Sequence, residues 1–457
     1  MSDLMGSLSM ASHSLAAQQA GLDATGQNIA NINTPGYTRR VVEFAATPPT
    51  EQFSAGRGVD IVAIRAMRAD LLEAQLRQEQ PAQGRDAAMA ESLSQVETTL
   101  GHAGSSIDSG LTQFFNAFSQ LAQDPTSGVA RQQVTAQGEA LASTFNEVAA
   151  RLASAQRDAD LQVKASVDQI NGLAAQIASL NAAIGGAGQS ASEDLRDRLG
   201  VALSALSQLI DIGVVPRPNG GANVSIGNGH ALVIGATTYQ LGVTARAGSG
   251  VADLTSGGAV ITSEVTGGRI GGLLRVRDLL VPDYVAQLDQ LAYGIATSVN
   301  TAHRAGYDLN GSAGGDFFTP PALATGAASA LTVSAAVRAN GNLIAAAGVP
   351  AAGDNQNARA ITNLQRTALA GGTTTPIETW GALVYRVGSD SQRATNEKGG
   401  HDDIVKQLQS LRDQISGVSL DEEAANLMRF QRAYEANARY FSAIQTSLDV
   451  LMAMVAV

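Results

Sequence analysis

Residues 1–37 read MSDLMGSLSMASHSLAAQQAGLDATGQNIANINTPGY and decide how the rest of the fold is interpreted. Apolar residues recur there every seven positions, at Met1, Leu8, Leu15, Leu22 and Ile29. This period is typical of one face of a coiled-coil helix and not of the two-residue alternation of a strand. We expect the helix to end before Pro35, because the residue that precedes a proline is disfavoured in the α region. Pro35-Gly36 is typical of the central pair of a type II turn.

The C-terminus repeats the seven-residue period, at Leu420, Leu427, Tyr434, Phe441, Leu448 and Val455. A stripe this narrow buries only one side of a helix of roughly 50 Å, so each terminal helix needs a partner. We call these two sets of apolar residues the N-terminal and C-terminal seams. Two interpretations remain open: the helices pack on the body of their own chain, or they pair with each other and neighbouring subunits complete the pair.

The predicted fold class is mainly α with a β-rich insert: terminal coiled-coil helices, an elongated helical rod domain and a small outer β domain. Short apolar runs among many Gly and Thr residues between Val214 and Val265 predict the β-rich part. A helix from 380 to 415 is expected to break near Gly399-Gly400, and residues 331–333 are expected to form an isolated strand. The expected parts are an N-terminal assembly helix (1–40), a β-linker and first rod part (41–213), the β-rich domain (214–266), a second rod part with a loop and strand insert near 306–350 (267–415), and a C-terminal assembly helix (416–457).

Composition excludes several classes of protein. The 457 residues contain no Cys, which excludes a disulfide scaffold, a Cys-based zinc site and a cysteine nucleophile. A formal charge of −11, with Lys164, Lys398 and Lys406 the three lysines of the chain, argues against binding to nucleic acid or to an anionic membrane surface. No run of about eighteen apolar residues predicts a membrane span, and the N-terminus has no cleavable secretory signal.

Motifs for catalysis, cofactors or metals are missing from the sequence. The five His residues are widely spaced and form no H-E-x-x-H motif, which favours solvated or structural roles. Asp308-Leu309-Asn310-Gly311 lacks the ligands of a calcium loop and predicts an Asx-type turn. Asp421-Glu422-Glu423 is interpreted as the cap of a helix, with Ser419 as the N-cap. The two acids of a carboxylate-pair hydrolase need only meet in space, so that alternative stays open.

Both ends of the chain resemble the bacterial flagellar rod, hook and hook-associated protein family. The N-terminal motif Asn-x-x-Asn-x-Asn-Thr-x-Gly-Tyr comprises Asn28, Asn31, Asn33, Thr34, Pro35, Gly36 and Tyr37. The C-terminal signature comprises Asp421, Glu422, Glu423, Asn426, Gln431, Ala433, Tyr434 and Asn437. Three segments in the middle, 267–278, 299–303 and 306–318, favour the hook-associated members of the family.

The resemblance implies a non-enzymatic structural subunit without a cofactor, located outside the cell at the hook–filament junction. It further implies export through the flagellar type III path, self-assembly through paired terminal helices, and no membrane insertion. The implied partners are copies of the chain itself, the hook protein, the second junction protein (hook-associated protein 3), the filament, and an export chaperone at the C-terminal region. The alternatives are another axial subunit of the hook or rod, a flagellum-associated peptidoglycan hydrolase, and a secreted coiled-coil effector or adhesin.

We expect assembly to bury the two seams between subunits, and the terminal helices of a free monomer to be largely disordered or nascent. For Asn28, Asn31 and Asn33, two roles remain open. Their amides satisfy backbone groups inside a packed wall, or they cap the end of a free helix. Tyr37 either anchors the turn or lies on the surface.

Overall fold

A computed structural model of the chain describes residues 2–47, 58–100, 106–187, 189–369 and 372–455. The fold is mainly α with small antiparallel sheets, as predicted. The helices are α1 (Ser2–Ala30), α2 (Asp70–Leu100), α3 (Ile107–Leu121), α4 (Gly128–Gly186), α5 (Gln189–Leu209), α6 (Gly268–Arg275), α7 (Val281–Ala305), α8 (Ala327–Ala330), α9 (Ala335–Ala339), α10 (Gln356–Asn363), α11 (Pro376–Ser416) and α12 (Leu420–Val455). One π turn (Val276–Leu280) joins α6 to α7.

The strands form one hairpin and two small sheets, all antiparallel. They are β1 (Arg40–Ala46), β2 (Val59–Ala66), β3 (Ile212–Pro216), β4 (Ala222–Ile226), β5 (His230–Ile234), β6 (Thr237–Thr238), β7 (Leu241–Ala245), β8 (Ala252–Ser256) and β9 (Ala259–Val260). The hairpin β1–β2 places Arg40 opposite Ala66 and has a bulge between Glu43 and Phe44. The two sheets, in the orders β3-β4-β5-β6 and β7-β8-β9, form the β lobe that the glycine-rich segment predicts.

The rod is built along α4, whose 59 residues span ~90 Å. Two apolar cores lie along it. The first contains α3, the first half of α4, α7 and the start of α11, with Phe114, Phe118 and Phe317 fully buried at ring-centroid separations of 5.3 to 5.6 Å. The second contains the remainder of α4, α5, α6 and the inner faces of the β lobe. The rod therefore does not depend on the terminal helices for its core.

A buried arginine fixes the β lobe to the rod. Arg277 has no exposed side-chain surface, and its Nη1 donates to Asp160 Oδ1 and to the Ala252 carbonyl, at 2.7 Å each. Burial alone would raise the pKa of Asp160, but the Ala252 N–H, Lys164 and Arg277 hold it below its usual range. Because each buried charge has a partner on another element, α4, β8 and the π turn keep one relative orientation.

Two local expectations were wrong. Helix α11 continues through Gly399 and Gly400 to Ser416. A glycine costs only about 1 kcal/mol in a helix interior, and α11 packs along α2. Residues 331–333 form no strand; Val333 makes a single bridge with Phe318. Because α11 is uninterrupted, it leads directly from the rod to the start of α12.

The residues considered for chemistry have structural roles. The buried His303 accepts a bond from Ala345 N–H (2.9 Å), and its Nδ1 lies 2.7 Å from the Gly315 carbonyl oxygen. Burial lowers the pKa of His303, so the imidazole is held neutral. Asp308 accepts bonds from the backbone N–H groups of Asn310 and Ser312, both at 2.8 Å, in the predicted Asx-type turn. Within the described ranges, no group of three His, Cys, Asp or Glu residues could hold a metal ion, and none of the helices is suited in length and hydropathy to crossing a membrane.

Candidate assembly interface

The two terminal helices pair with each other, and two contacts fix their register. Asn28 bonds to Glu423, and Gly21 lies against the ring of Phe430. Gly21 precedes Asn28 on α1, whereas its partner Phe430 follows Glu423 on α12, so the two helices are antiparallel. α1 also packs on the β1–β2 hairpin. The hairpin contacts α12 as well, because Phe44 makes an edge contact with Phe430 at 6.5 Å.

Small side chains dominate the buried face of α1. Its buried residues are Ala11, Ala17, Gly21, Ala24, Thr25 and Asn28. A Cβ at Gly21 would lie 2.6 Å from Cε1 of Phe430, which is too close for a non-bonded contact. The absence of a side chain at this position is therefore what allows the large ring of α12 to approach the backbone of α1.

The seams lie beside this contact and are only partly covered. Half-buried seam residues are Leu8, Leu15, Leu22, Ile29, Leu427, Phe441 and Leu448. Leu420 is 53% exposed and Tyr434 38% exposed, and Met452 and Met454 are more exposed still, at 62% and 71%. Met1 and the side chain of Val455 lie outside the described residues. The terminal pair thus retains apolar surface after its two helices have packed together.

The chain leaves α1 through a turn that matches the predicted type II geometry. Tyr37 N–H donates to the Thr34 carbonyl at 3.1 Å, and Gly36 has a φ of 76°. A Cβ on Gly36 would also collide with the side chain of Val201 on α5, so glycine is required for both conformation and space. The tip of the turn, residues 33–36, is exposed. We call residues 33–36 the tip turn.

The buried side chain of Asn28, which is 1% exposed, connects α1 with α12, with β1 and with the segment after the tip turn. We call this meeting point of the terminal helix pair and the rod the joint. Its Nδ2 donates to the Arg40 carbonyl (2.9 Å) and to Glu423 Oε2 (3.1 Å). Its Oδ1 accepts from the Tyr37 hydroxyl (2.9 Å) and from Arg40 N–H (2.8 Å). All the hydrogen-bonding capacity of this amide is therefore used, with partners on β1, on α12 and on the segment after the tip turn.

The three asparagines of the motif have different environments. The Nδ2 of Asn31 donates to the Gln27 carbonyl at 3.0 Å, and its Oδ1 accepts from Thr34 Oγ1 at 3.1 Å, so Asn31 caps the end of α1. Asn28 instead satisfies backbone groups of a neighbouring strand, and Asn33 is exposed on the tip turn. Within the single chain, Asn28 thus bonds to the backbone of a neighbouring strand and Asn31 to the end of its own helix, and the role of either residue in a packed wall stays a prediction.

Arg39 and Arg40 bind in opposite directions, because consecutive side chains of an extended segment point to opposite sides. Arg39 contacts α12 through Nε–Glu423 Oε1 (2.7 Å) and Nη1–Glu422 Oε2 (2.8 Å). Arg40 contacts α5 through Nη2, at 2.8 Å from Asp194 Oδ1 and 2.6 Å from Asp197 Oδ2. This dipeptide therefore joins the terminal helix pair to the rod.

On the α5 side, Asp197 collects most of the bonds. It accepts from Thr38 Oγ1 (2.8 Å), Thr38 N–H (3.2 Å) and Arg68 Nη2 (2.7 Å) as well as from Arg40. Burial would lower the pKa of Arg40, but its bonds to these carboxylates raise it above the usual value. For Tyr37, burial raises the pKa to about 12, so the phenol stays protonated and donates its hydrogen bond to Asn28.

The C-terminal signature corrects one interpretation from the sequence. Glu422 and Glu423 bind Arg39 at the joint, and Glu423 is 1% exposed, so the acidic triplet does more than cap α12. Asn426, Ala433 and Asn437 are half-buried, and Asp421 and Gln431 are exposed. Asp194, Asp197 and Arg68 also belong to this site and were not predicted from the sequence. The sequence shows two adjacent arginines after the motif and two carboxylates one helical turn apart on α5. These residues are far apart in the sequence, so only the fold shows that they bind each other.

Comparisons with known proteins agree along the whole chain. The family described as flagellar hook-associated protein FlgK helical domain matches residues 93–318. Residues 8–38 match the flagella basal body rod protein family, and residues 412–454 match the flagellar basal body rod FlgEFG protein C-terminal family. The flagellar hook-associated protein 1 of Escherichia coli K12 is 28% identical over an alignment of 536 residues, which covers 96% of this chain and 97% of that protein. Over nearly its whole length the chain is similar to flagellar hook-associated protein 1.

Further relatives show the same similarity. The Bacillus subtilis hook-associated protein 1 is 29% identical, with 97% of this chain and 96% of that protein aligned. The Salmonella typhimurium protein is 26% identical, with 96% and 98% aligned. The solved flagellar hook junction protein FlgK from Burkholderia pseudomallei has the same fold, with a TM-score of 0.67 at 17% identity over 75% of this chain and 100% of that one.

These similarities identify the chain as a structural component of the bacterial flagellum. The two terminal matches are to rod protein families and do not separate rod, hook and hook-associated members. The match over residues 93–318, together with the full-length relatives, supports a hook-associated protein over a hook or rod subunit. The terminal helix pair therefore lies in the segments that match axial rod proteins, whereas the β lobe and the α5 side of that pair's contacts, Asp194 and Asp197, lie in the segment that matches the hook-associated proteins.

Proposed function

We propose that this chain is the structural subunit that joins the hook to the filament of the bacterial flagellum. The observation that carries the proposal is the alignment over nearly the full length with relatives named flagellar hook-associated protein 1. The half-covered seams support it, because a pair of helices that retains apolar surface is suited to packing among neighbouring subunits.

In the proposed assembly, neighbouring copies cover both seams. Burying a Leu or Phe side chain contributes roughly 1.5–3 kcal/mol, so the half-buried seam residues can offset the cost of ordering free termini. In a ring or tube each subunit uses different faces toward its two neighbours. Asn28, Tyr37 and the buried Glu423 hold the pair at a fixed angle to the rod, while the tip turn offers exposed groups to the next subunit.

The finer parts of the function are also proposals. The subunit acts without catalysis or a cofactor, leaves the cell by flagellar export, and lies outside the cell at the junction. It contacts the hook protein, the second junction protein and the filament, and an export chaperone binds its C-terminal region before assembly. Helix α12, with its exposed apolar residues, is the segment that such a chaperone would cover. The five-part division of the chain stays a prediction.

Labelling of isolated flagella tests the proposed location. An antibody against the β lobe is expected to bind hook–basal bodies at the distal end of the hook, and to bind at the boundary between hook and filament when the filament is present. A deletion strain should retain hooks and lack filaments. Label along the hook or in the rod, or intact filaments in the deletion strain, would contradict the junction role.

A charge placed in the C-terminal seam tests assembly. In Leu427→Asp the carboxylate must be desolvated among neighbouring helices, so we expect about tenfold less subunit incorporated into flagella. Secretion should change little. Leu323→Asp, at a position that is 71% exposed, provides the same substitution as a control and should incorporate normally. If Leu427→Asp abolishes export itself, the seam serves the chaperone or the export apparatus before it serves assembly.

A further inference from the structure

A groove of about 850 Å³ lies at the joint between the terminal pair and the rod. Its walls come from the start of α2, from α5, from the β3–β4 end of the β lobe and from the tip turn, of which Pro35 and Gly36 line it. The groove is therefore continuous with the exposed part of the N-terminal motif. Leu199, Leu203 and Ala222 in its floor belong to the second apolar core, whereas its charged lining residues take no part in that core.

The lining of this groove is basic in a chain that is acidic. Six arginines line it, against four carboxylates, although the whole chain has 41 acidic residues and 30 Lys and Arg. The arginines are Arg65, Arg68, Arg77, Arg196, Arg217 and Arg412. Two of the carboxylates are already occupied: Glu193 binds Arg68 and Arg196, and Asp197 binds Arg40 and Arg68. Arg65 and Arg412 bind Glu43 and Asp413, which lie outside the groove, so the cations that keep no close carboxylate among the described residues are Arg77 and Arg217.

Two of these guanidinium groups have donors that the chain leaves unused. Arg217 makes no ion pair with any residue in the described part of the chain. Arg77 has a side chain that is only 23% exposed, and its Nη1 is 3.9 Å from Glu73 Oε2, beyond hydrogen-bond distance. Burial lowers the pKa of Arg77, as expected for a cation held partly out of water without a close partner. A buried N–H, Arg196 Nε, also has no hydrogen-bond partner among the described residues.

We propose that this groove, which we call the arginine groove, binds a carboxylate-bearing segment of a second copy of this chain. Arginine is suited to this role because its planar donor fork matches a carboxylate with two parallel hydrogen bonds. The proposal rests on the proposed function, since it assigns one of the subunit–subunit contacts of the assembly. It names a basic surface that neither the seams nor the tip turn includes.

Charge complementarity and position argue for a second copy as the occupant. The chain has eleven more acidic than basic residues, so the surface of any neighbouring copy offers carboxylates. The tip turn lines the groove, so a neighbour that contacts the exposed residues 33–36 is brought to the groove as well. In a heterologous contact the basic groove of one subunit and an acidic surface of the next are different faces, which suits a ring or tube.

Zero-length cross-linking with a carbodiimide tests the identity of the occupant. The reagent joins an amine to a carboxylate that touches it, and the chain has only three lysines, so background is low. In Arg217→Lys the charge is kept and an amine is placed in the groove. We expect a covalent dimer of this chain, joined from position 217 to an Asp or Glu of the second copy, in isolated flagella or in concentrated purified protein. Arg338→Lys, at an exposed position outside the groove, should give no such dimer.

A dimer joined at position 217 to another protein, or no dimer in either preparation, would overturn the proposal. A second measurement uses the double substitution Arg77→Gln and Arg217→Gln, which removes the two underused cations. We expect about tenfold less incorporation than for Arg338→Gln, with an unchanged thermal unfolding curve for the purified protein. Equal incorporation of the two variants would also overturn it.

The two proposals fail in distinguishable ways. If labelling places the subunit at the junction and position 217 gives no dimer, the arginine groove is wrong and the junction role stands. If labelling places the subunit elsewhere and the dimer forms at position 217, the groove stands and the junction role is wrong.

Discussion

Replacing Asn28 by Asp is expected to destabilise the terminal helix pair by about 4 kcal/mol, which is nearly a thousandfold change in its equilibrium with the open form. The substitution keeps the size of the side chain. It loses the Nδ2 donor, so the Arg40 carbonyl and Glu423 Oε2 each lose a buried bond. It also places a second carboxylate next to Glu423, where Asn28 Nδ2 now lies 3.1 Å from Oε2.

Hydrogen exchange resolved along the chain measures this effect. The amides of α1 should lose protection in Asn28→Asp, while those of α4 and α7 keep theirs, because the rod has its own two cores. Asn33→Asp adds the same charge on the same motif at an exposed position and should leave α1 protected. Equal loss of protection in both variants would show that charge, and not the bonds of Asn28, controls the pair.

Two glycine-to-alanine substitutions in α1 are expected to have effects of opposite sign. In Gly21→Ala the new Cβ would lie 2.6 to 2.8 Å from three ring atoms of Phe430, so the helices must separate or the ring must leave its position. Overpacking of this kind costs roughly 1–3 kcal/mol, which exceeds the gain from higher helix propensity. In Gly26→Ala the new Cβ has no atom within 4 Å, so only the propensity gain of about 1 kcal/mol remains.

Thermal unfolding followed by circular dichroism, together with exchange of the α1 amides, measures both substitutions. We expect lower protection of α1 in Gly21→Ala and higher protection in Gly26→Ala. Stabilisation by both would mean that Phe430 does not pack against α1. Destabilisation by both would mean that α1 needs glycine flexibility for a reason other than the approach of α12.

The sequence predicted the elements that depend on local chemistry. The seven-residue period gave the two terminal helices, and Pro35-Gly36 gave the type II turn, because helix periodicity and turn conformation are set by residues close in the chain. The period did not identify which side of α1 meets α12. The leucines of the seam are conspicuous in the sequence, but Gly21 and its small neighbours are the residues that permit close approach, and a glycine carries no apolar signal.

The joint could not be predicted, since it depends on contacts between distant parts of the chain. Asp197 appeared as one of several charged residues on α5, and its bond to Arg40 joins positions 157 residues apart. Glu423 had a sufficient local explanation as a helix cap, so its bond to Arg39 gave no separate signal. Similarly, Gly399-Gly400 suggested a helix break because intrinsic propensity was considered without the packing of α11 on α2.

The bond between Asn28 and Glu423 joins residues that are 395 positions apart, so nearly the whole chain must be present before it can form. The folded rod offsets most of the entropic cost of closing so long a loop, because α11 packs along α2 and leads back to α12. A subunit truncated between the end of α11 and the start of α12 keeps both rod cores and presents a single, unpaired N-terminal helix. Under the proposed assembly, a chain must therefore carry both α1 and α12 to present the paired ends to its neighbours.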